Sequence, residues 1–197
     1  TRFTKEQPDR RFQQVLFAKN KAGYHNLAKL STEANTVGLY GQYARVGREL
    51  IAQYRENLIA TTGGLQGEVP QLILQVGERQ AEEAFKWWLD VFGDDFYVEL
   101  LRHGLPENAR VNRTLLSFAE KYGVRYIAQN NTFYASREDS NAHDILLCIR
   151  DGEVQSKPIG RGRDCRFGFP NDEFYFKSQD EMKTLFADLP DAIRNIG

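Results

Sequence analysis

The sequence predicts an α/β fold assembled from strand-helix units, on three observations. Short β-branched or aromatic runs are each followed by a longer stretch of helical period, repeating about four times. Glycines close two of the helical stretches, at Gly93 and Gly123, where a left-handed C-terminal residue is expected. The 197 residues, 41% hydrophobic and 27% charged, suffice for one sizeable core.

The elements follow in order. "RFQQVLFAKN" (11–20) is a strand and "GYHNLAKLSTEAN" (23–35) the helix after it. Residues 45–57 are helical, and "LIATTGG" (58–64) is a strand entering a glycine turn. From Val69 to Phe92 the pattern is one helix, with Ala84, Phe85, Trp88, Val91 and Phe92 on one side. The aromatic "FKWWLD" (85–90) within it is core, or an interface to a part of the protein not in this sequence.

"FYVELL" (96–101) is the next strand, and Val111, Leu115, Phe118, Ala119 and Tyr122 trace a helix face behind it. "VRYIAQN" (124–130) is a strand, and Ala142, Ile145, Leu146 and Ile149 mark an amphipathic helix. Residues 151–172 read as an extended loop, with room for a hairpin. Ser178 and Glu181 have capping-box spacing ahead of Met182, Leu185, Phe186 and Leu189, and "PDAIRNI" starts a last short helix. Parallel units of this kind close into a barrel or open into a doubly wound sheet, and both place chemistry at the C-terminal ends of the strands.

Composition excludes some function classes. No apolar run approaches the ~18 residues of a membrane span. A net charge of -1 supplies no global attraction to nucleic acid, so contact with DNA needs a local basic patch. Cys148 and Cys165 lie far apart with no metal-finger spacing, as in a reduced, cytoplasmic protein. The chain opens on Thr1 in a polar stretch, as a piece of something longer would.

Four strand ends are candidates: Lys19 and Asn20, Gly63 and Gly64, Glu99 to His103, and Asn130 to Thr132. Glu99 and His103 could ligate a metal or move a proton; the plainer reading is a strand residue and a surface histidine before a turn. "ATTGGLQGEVP" (60–70) has the amide-rich look of a phosphate cradle, but a turn needing positive φ explains its glycines equally well. His25 and His143 sit on helices, in structural positions rather than catalytic ones. The loop "KPIGRGRDCRFGF" gathers Lys157, Arg161, Arg163 and Arg166, a possible DNA contact that Asp164 and the following "NDE" dilute.

Together "VLFAKNKAGYHNLAKLSTEA", "LIATTGGLQGEVPQLIL", "FYVELLRHGLPE", "YIAQNNTFY", "EDSNAHDILLCI" and "FYFKSQDEMKTLFADLPDAI", in that order, resemble the PHP (polymerase and histidinol phosphatase) domain of bacterial DNA polymerase III alpha subunits. The resemblance runs from about Gln14 onward. It implies a partial, distorted (β/α)7 TIM-like barrel holding the later units only. The first strands, with a His-x-His motif, would lie upstream, and the palm, fingers and C-terminal domains downstream.

Metal-bearing members are associated with 3′-5′ exonuclease or phosphoesterase chemistry. The resemblance places their later ligands at Gln13 (a His in the family), Gly64 (a Cys), Asn131 (an Asp) and Phe133 (a His). An amide lacks the charge that balances a divalent cation, and glycine and phenylalanine cannot ligate. The expectation is therefore a barrel with no catalytic residue and no metal of its own. Its parent would be a Mg-dependent DNA polymerase whose partners are DNA and other holoenzyme subunits, a proofreading exonuclease among them.

A barrel lacking its first strands exposes sheet edge and apolar surface. The isolated 197-residue chain is therefore expected to self-associate or to melt at low temperature. Sedimentation velocity checks this, and a stable monomer with a cooperative melt contradicts it.

Overall fold

Four strands hydrogen-bond side by side in sequence order. They are β1 (Leu16–Ala18), β2 (Leu58–Thr61), β3 (Phe96–Leu101) and β4 (Tyr126–Gln129). The computed structural model describes residues 11–160 and 162–196. Eight α-helices occur among them: α1 (Lys21–Thr36), α2 (Arg48–Gln53), α3 (Glu68–Gln75), α4 (Glu78–Phe92), α5 (Pro106–Tyr122), α6 (Ser140–Asp151), α7 (Gln179–Leu185) and α8 (Asp191–Arg194). The chain is thus a mixed α/β protein with an open four-stranded sheet. It falls into two compact units, one comprising the chain up to Glu99 with Arg110–Tyr126, the other Leu100–Ala109 with Ile127–Gly197.

The sheet is not all parallel, contrary to the expectation from repeated parallel units. β2 and β3 pair in parallel, Ala60 opposite Phe96. β1 runs antiparallel to β2, with Leu16 opposite Ala60 and Ala18 opposite Leu58. The reversal changes which residues share an end of the sheet. Lys19 and Asn20 lie beside the start of β2, where the Lys19 amide donates to the Asn57 carbonyl at 2.9 Å. Asn20 caps α1 by accepting from the Gly23 amide, and Lys19 pairs with Asp95 at 2.8 Å. Both are structural residues, remote from the C-terminal end of β2.

The predicted single helix over 69–92 is two helices that pack on each other. Gly77 adopts φ +151°, a backbone state that L side chains rarely enter, so the helix breaks there and restarts. Trp88 on α4 donates its indole N–H to Glu68 of α3 at 2.9 Å, and Arg48 pairs with the same carboxylate at 2.8 Å. The core of this unit forms around Phe85, whose ring meets Phe96, Phe118 and Tyr122 at 5.2, 5.4 and 5.9 Å. Phe85 and Trp88 are buried, which is the core reading of the aromatic run.

In the other unit Tyr134, Phe174 and Tyr175 form a buried cluster flanked by Leu105 and Phe169. The loop after α6 is pinned by a bridge between Ile159 and Arg166 in the parallel sense, so it is no antiparallel hairpin. Its closing turn leads to Ser178, whose hydroxyl accepts from the Glu181 amide while the Glu181 carboxylate accepts from the Ser178 amide at 2.8 Å. The Tyr175 hydroxyl, donating to Glu181 at 2.6 Å, and then the Ser178 amide and hydroxyl hold the Glu181 carboxyl down to about 2.

Ser178→Ala removes one half of the box, and an N-cap loss of this type costs about 1 kcal/mol. The expected outcome is faster amide exchange confined to α7, read by hydrogen-deuterium mass spectrometry.

Candidate functional site

In the first unit the end of β2 runs into the turn Thr61 to Gly67. Gly63 sits at φ +71°, and a Cβ on Gly67 would lie 2.2 Å from the Thr62 carbonyl oxygen, so both positions require glycine. The Gly67 amide donates to the Gly64 carbonyl at 2.8 Å and the Gly63 amide to the Thr61 hydroxyl at 3.2 Å. These amides are bonded within the turn rather than presented to an anion. Because β1 is antiparallel, the residues ahead of it return to this same end: the Gln13 amide donates to the Gln66 carbonyl at 2.9 Å, and Gln14 donates its side-chain amide to the Thr61 carbonyl at 2.6 Å. Gln13 and Gly64, distant in sequence, therefore share one end of the unit.

The carboxylate there is Glu99, only 6% exposed. The Thr61 hydroxyl donates to its Oε2 at 2.8 Å, and the Glu99 amide donates to the Thr62 hydroxyl at 2.9 Å. Burial pushes the Glu99 carboxyl up from its ordinary range, and the single hydroxyl donor offsets this only in part. The two threonines went unnoticed as site residues in the sequence; a Thr-Thr pair directly before a glycine turn was the available signal.

In the second unit His103 is 1% exposed, not the surface residue that its place before Gly104 suggested. Its ring stacks on Phe174 at 4.5 Å and 6°. The Asn131 amide donates to its Nε2 at 3.3 Å, which requires the neutral ring. Burial first, then the nearby Lys177 ammonium, hold its pKa below the usual imidazole value. Lys177 is itself buried, bonded to the Glu173 carbonyl and carboxylate and placed 4.3 Å over the Tyr175 ring. Asn130 donates to the Tyr175 carbonyl at 2.7 Å, tying the end of β4 to the segment that carries this lysine.

Asn131 and Phe133 are exposed at that strand end. The Phe133 ring meets Phe169 at 4.5 Å and His143 at 6.0 Å, and His143 also meets Tyr134 and Phe169, so this imidazole stands among aromatic rings. His25, exposed on α1, has the Tyr24 ring edge-on at 6.1 Å. Among the described residues no group of three or more His, Cys, Asp or Glu could hold a metal ion.

Of the basic loop residues, Arg161 lies outside the described residues. Lys157 pairs with Glu153 at 2.7 Å and Arg163 is exposed. Arg166 is different in kind. Its guanidinium, 5% exposed, makes a two-pronged pair with Asp144 at 2.6 and 2.9 Å and also donates to the Lys157 carbonyl, so it braces the loop from inside. No helix among the described residues is long and apolar enough to cross a membrane.

The sequence pattern of the PHP domain matches residues 2–103, more than half of the chain. The chain belongs to the PHP domain family. Three relatives extend the similarity past His103. The DNA polymerase III subunit alpha of Borreliella burgdorferi is 37% identical over 198 residues, covering 99% of this chain and 17% of the relative. That of Thermus aquaticus is 39% identical over 181 residues, covering 92% and 14%, and that of Treponema pallidum 39% over 182 residues, covering 92% and 15%. The chain thus matches only a small part of proteins several times its length. The PHP match includes Gln13, Gly64, Glu99 and His103, whereas Asn131 and Phe133 fall in the stretch that only the relatives cover.

Glu99 gives a pH test. A carboxyl whose folded pKa is raised keeps its proton in the folded state where the unfolded chain has released it, so stability falls as pH rises from about 4.5 toward the folded value. Glu99→Gln keeps an acceptor for Thr61 without that charge. The variant is expected to gain stability over the parent at pH 8 and little at pH 4, as measured by urea midpoints at the two pH values.

Proposed function

We propose that this chain is the later part of a PHP barrel in a replicative DNA polymerase III alpha subunit, a barrel that has lost its metal centre and serves as scaffold. In this reading the first barrel strands precede the sequence and the palm, fingers and C-terminal domains follow it. The parent is a nucleotidyltransferase that uses Mg to add deoxynucleotides to a primer terminus in the cytoplasm. The barrel braces the polymerase or docks another holoenzyme subunit, such as a proofreading exonuclease. DNA is then a partner of the whole protein, with Arg163 as the exposed loop residue open to contact and Arg166 bracing the loop from inside.

What supports the loss of the metal is the donor set at the family's ligand positions. Gly64 has no side chain, and the Gln13 and Asn131 amides carry no charge. The Phe133 ring packs against Phe169. A divalent ion held in a PHP site needs carboxylate, imidazole or thiolate donors, and these four residues supply none. A metal ion does not fit these four positions. Similarity to polymerase alpha subunits along 92–99% of the chain supports the parent assignment.

The competing reading is a phosphoesterase or 3′-5′ exonuclease that works through ligands upstream. Elemental analysis of the purified full-length protein separates the two. Zn and Mn well below one per chain, with primer extension in Mg and no 3′-5′ degradation of an oligonucleotide, is the expected result. Stoichiometric Zn or Mn that disappears when upstream histidines are replaced would sink the scaffold reading.

A further inference from the structure

The apolar seam that the sequence marks on α6 is not buried. Ala142, Ile145, Leu146 and Ile149 follow the i, i+3, i+4, i+7 spacing by which one helix packs against another. All four are exposed, Ile145 to 41%, Leu146 to 63% and Ile149 to 71%. The helix is held to its own unit by other positions, where Leu147 and Cys148 are buried and Asp144 pairs with Arg166. α6 is therefore apolar on two sides, and one of them faces solvent.

Single exposed aliphatic side chains are ordinary, but a seam of them over two turns, about 10 Å of helix, is the mark of an interface. The charges beside it do not select an ionic partner. Arg150 is taken by Asp151 at 2.6 Å and lies 5.4 Å over the Phe167 ring, and Asp144 is matched by Arg166. What the seam accepts is a second apolar stripe of the same spacing, which an amphipathic helix supplies.

Size decides where that helix comes from. The seam offers a few hundred Å² of apolar surface, against about 800 Å² per partner in a stable complex of separate chains. A second copy or a separate subunit held by this seam alone would dissociate. A helix on the same polypeptide needs no such area, because its covalent connection keeps it at a high local concentration. The relatives have the necessary length: this chain covers 17%, 14% and 15% of the three described above.

We infer that the α6 seam docks an amphipathic helix of the same polypeptide, from the part beyond Gly197. The inference rests on the reading of this chain as one part of a polymerase alpha subunit, and it gives the bracing role a surface. Upstream strands would join elsewhere, through backbone hydrogen bonds at the sheet edges β1 and β4. A face that presents only side chains takes a helix instead.

The test uses the full-length protein with the photoreactive residue benzoylphenylalanine in place of Leu146. Irradiation of a dilute sample, followed by peptide mapping, is expected to give cross-links within one chain to a peptide beyond Gly197, at a yield that dilution does not change. A cross-linked dimer that fades on dilution, cross-links only within residues 1–197, or none at all, overturns the inference. A second measurement is independent of the probe. Leu146→Ser/Ile149→Ser should speed trypsin cleavage between this unit and the rest of the polypeptide about tenfold, since two buried aliphatic contacts are lost. Both side chains are exposed within the chain itself, so its own core is not at stake, and an unchanged cleavage rate also overturns the inference. The scaffold reading is judged on metal content and primer extension, so either can fail alone.

Discussion

The hydroxyls of Thr61 and Thr62 hold the end of β2 to Glu99 on β3, one donating to the carboxylate and the other accepting from its backbone amide. The rest of that strand end depends on this arrangement. The Thr61 hydroxyl also accepts from the Gly63 amide, and its carbonyl accepts from Gln14, so the residues before β1 and the glycine turn are set by the same threonine. Glu99 is a buried carboxyl whose ionisation the surroundings oppose. A buried charge without a partner is costly, and a carboxyl kept toward its neutral form by burial, with one hydroxyl bonded to it, avoids most of that cost.

The second unit solves a comparable problem with rings and amides. His103 stacks on Phe174 and accepts from Asn131, Asn130 ties the end of β4 to Tyr175, and Lys177 is held by Glu173 against the Tyr175 ring. Phe133 fits this setting as an aromatic neighbour of Phe169 and Phe174. An imidazole at that position would need water or a charge partner, whereas a phenyl ring needs only other rings. The Arg166–Asp144 pair acts in the same way inside the basic loop: it uses one of the four cations to shape the loop, and the exposed rings and Arg163 are what the loop displays.

Much of the local structure was legible. β3 runs over Phe96–Leu101 as read, the Ser178–Glu181 box forms, and Gly93 and Gly123 take positive φ at helix ends. One difference is local as well: Gly77 lies inside an apolar helical pattern, and its φ of +151° breaks the helix that the periodicity alone predicts. The other misses were not local. His103 stands beside Gly104, which is the signature of a surface turn, and only the packing of Phe174, some seventy residues later, buries it. Arg166 sits in a loop rich in glycine and charge, and nothing in that loop names Asp144 on α6 as its partner.

The sequence by itself determined the α/β class, the order of the elements, the resemblance to the PHP family, and the chemistry of Gln13, Gly64, Asn131 and Phe133. Those are properties of side chains and of near neighbours, where backbone preference and periodicity act. The tertiary structure decided that β1 runs antiparallel to β2, that Gln13 therefore meets the turn at Gly64 while Lys19 and Asn20 do not, and that the Phe169 ring meets both Phe133 and Phe167. Strand direction and the meeting of Phe133 with Phe169 depend on contacts between residues tens of positions apart. Their free energy appears only once the chain between them has folded, and short-range patterns carry no record of it.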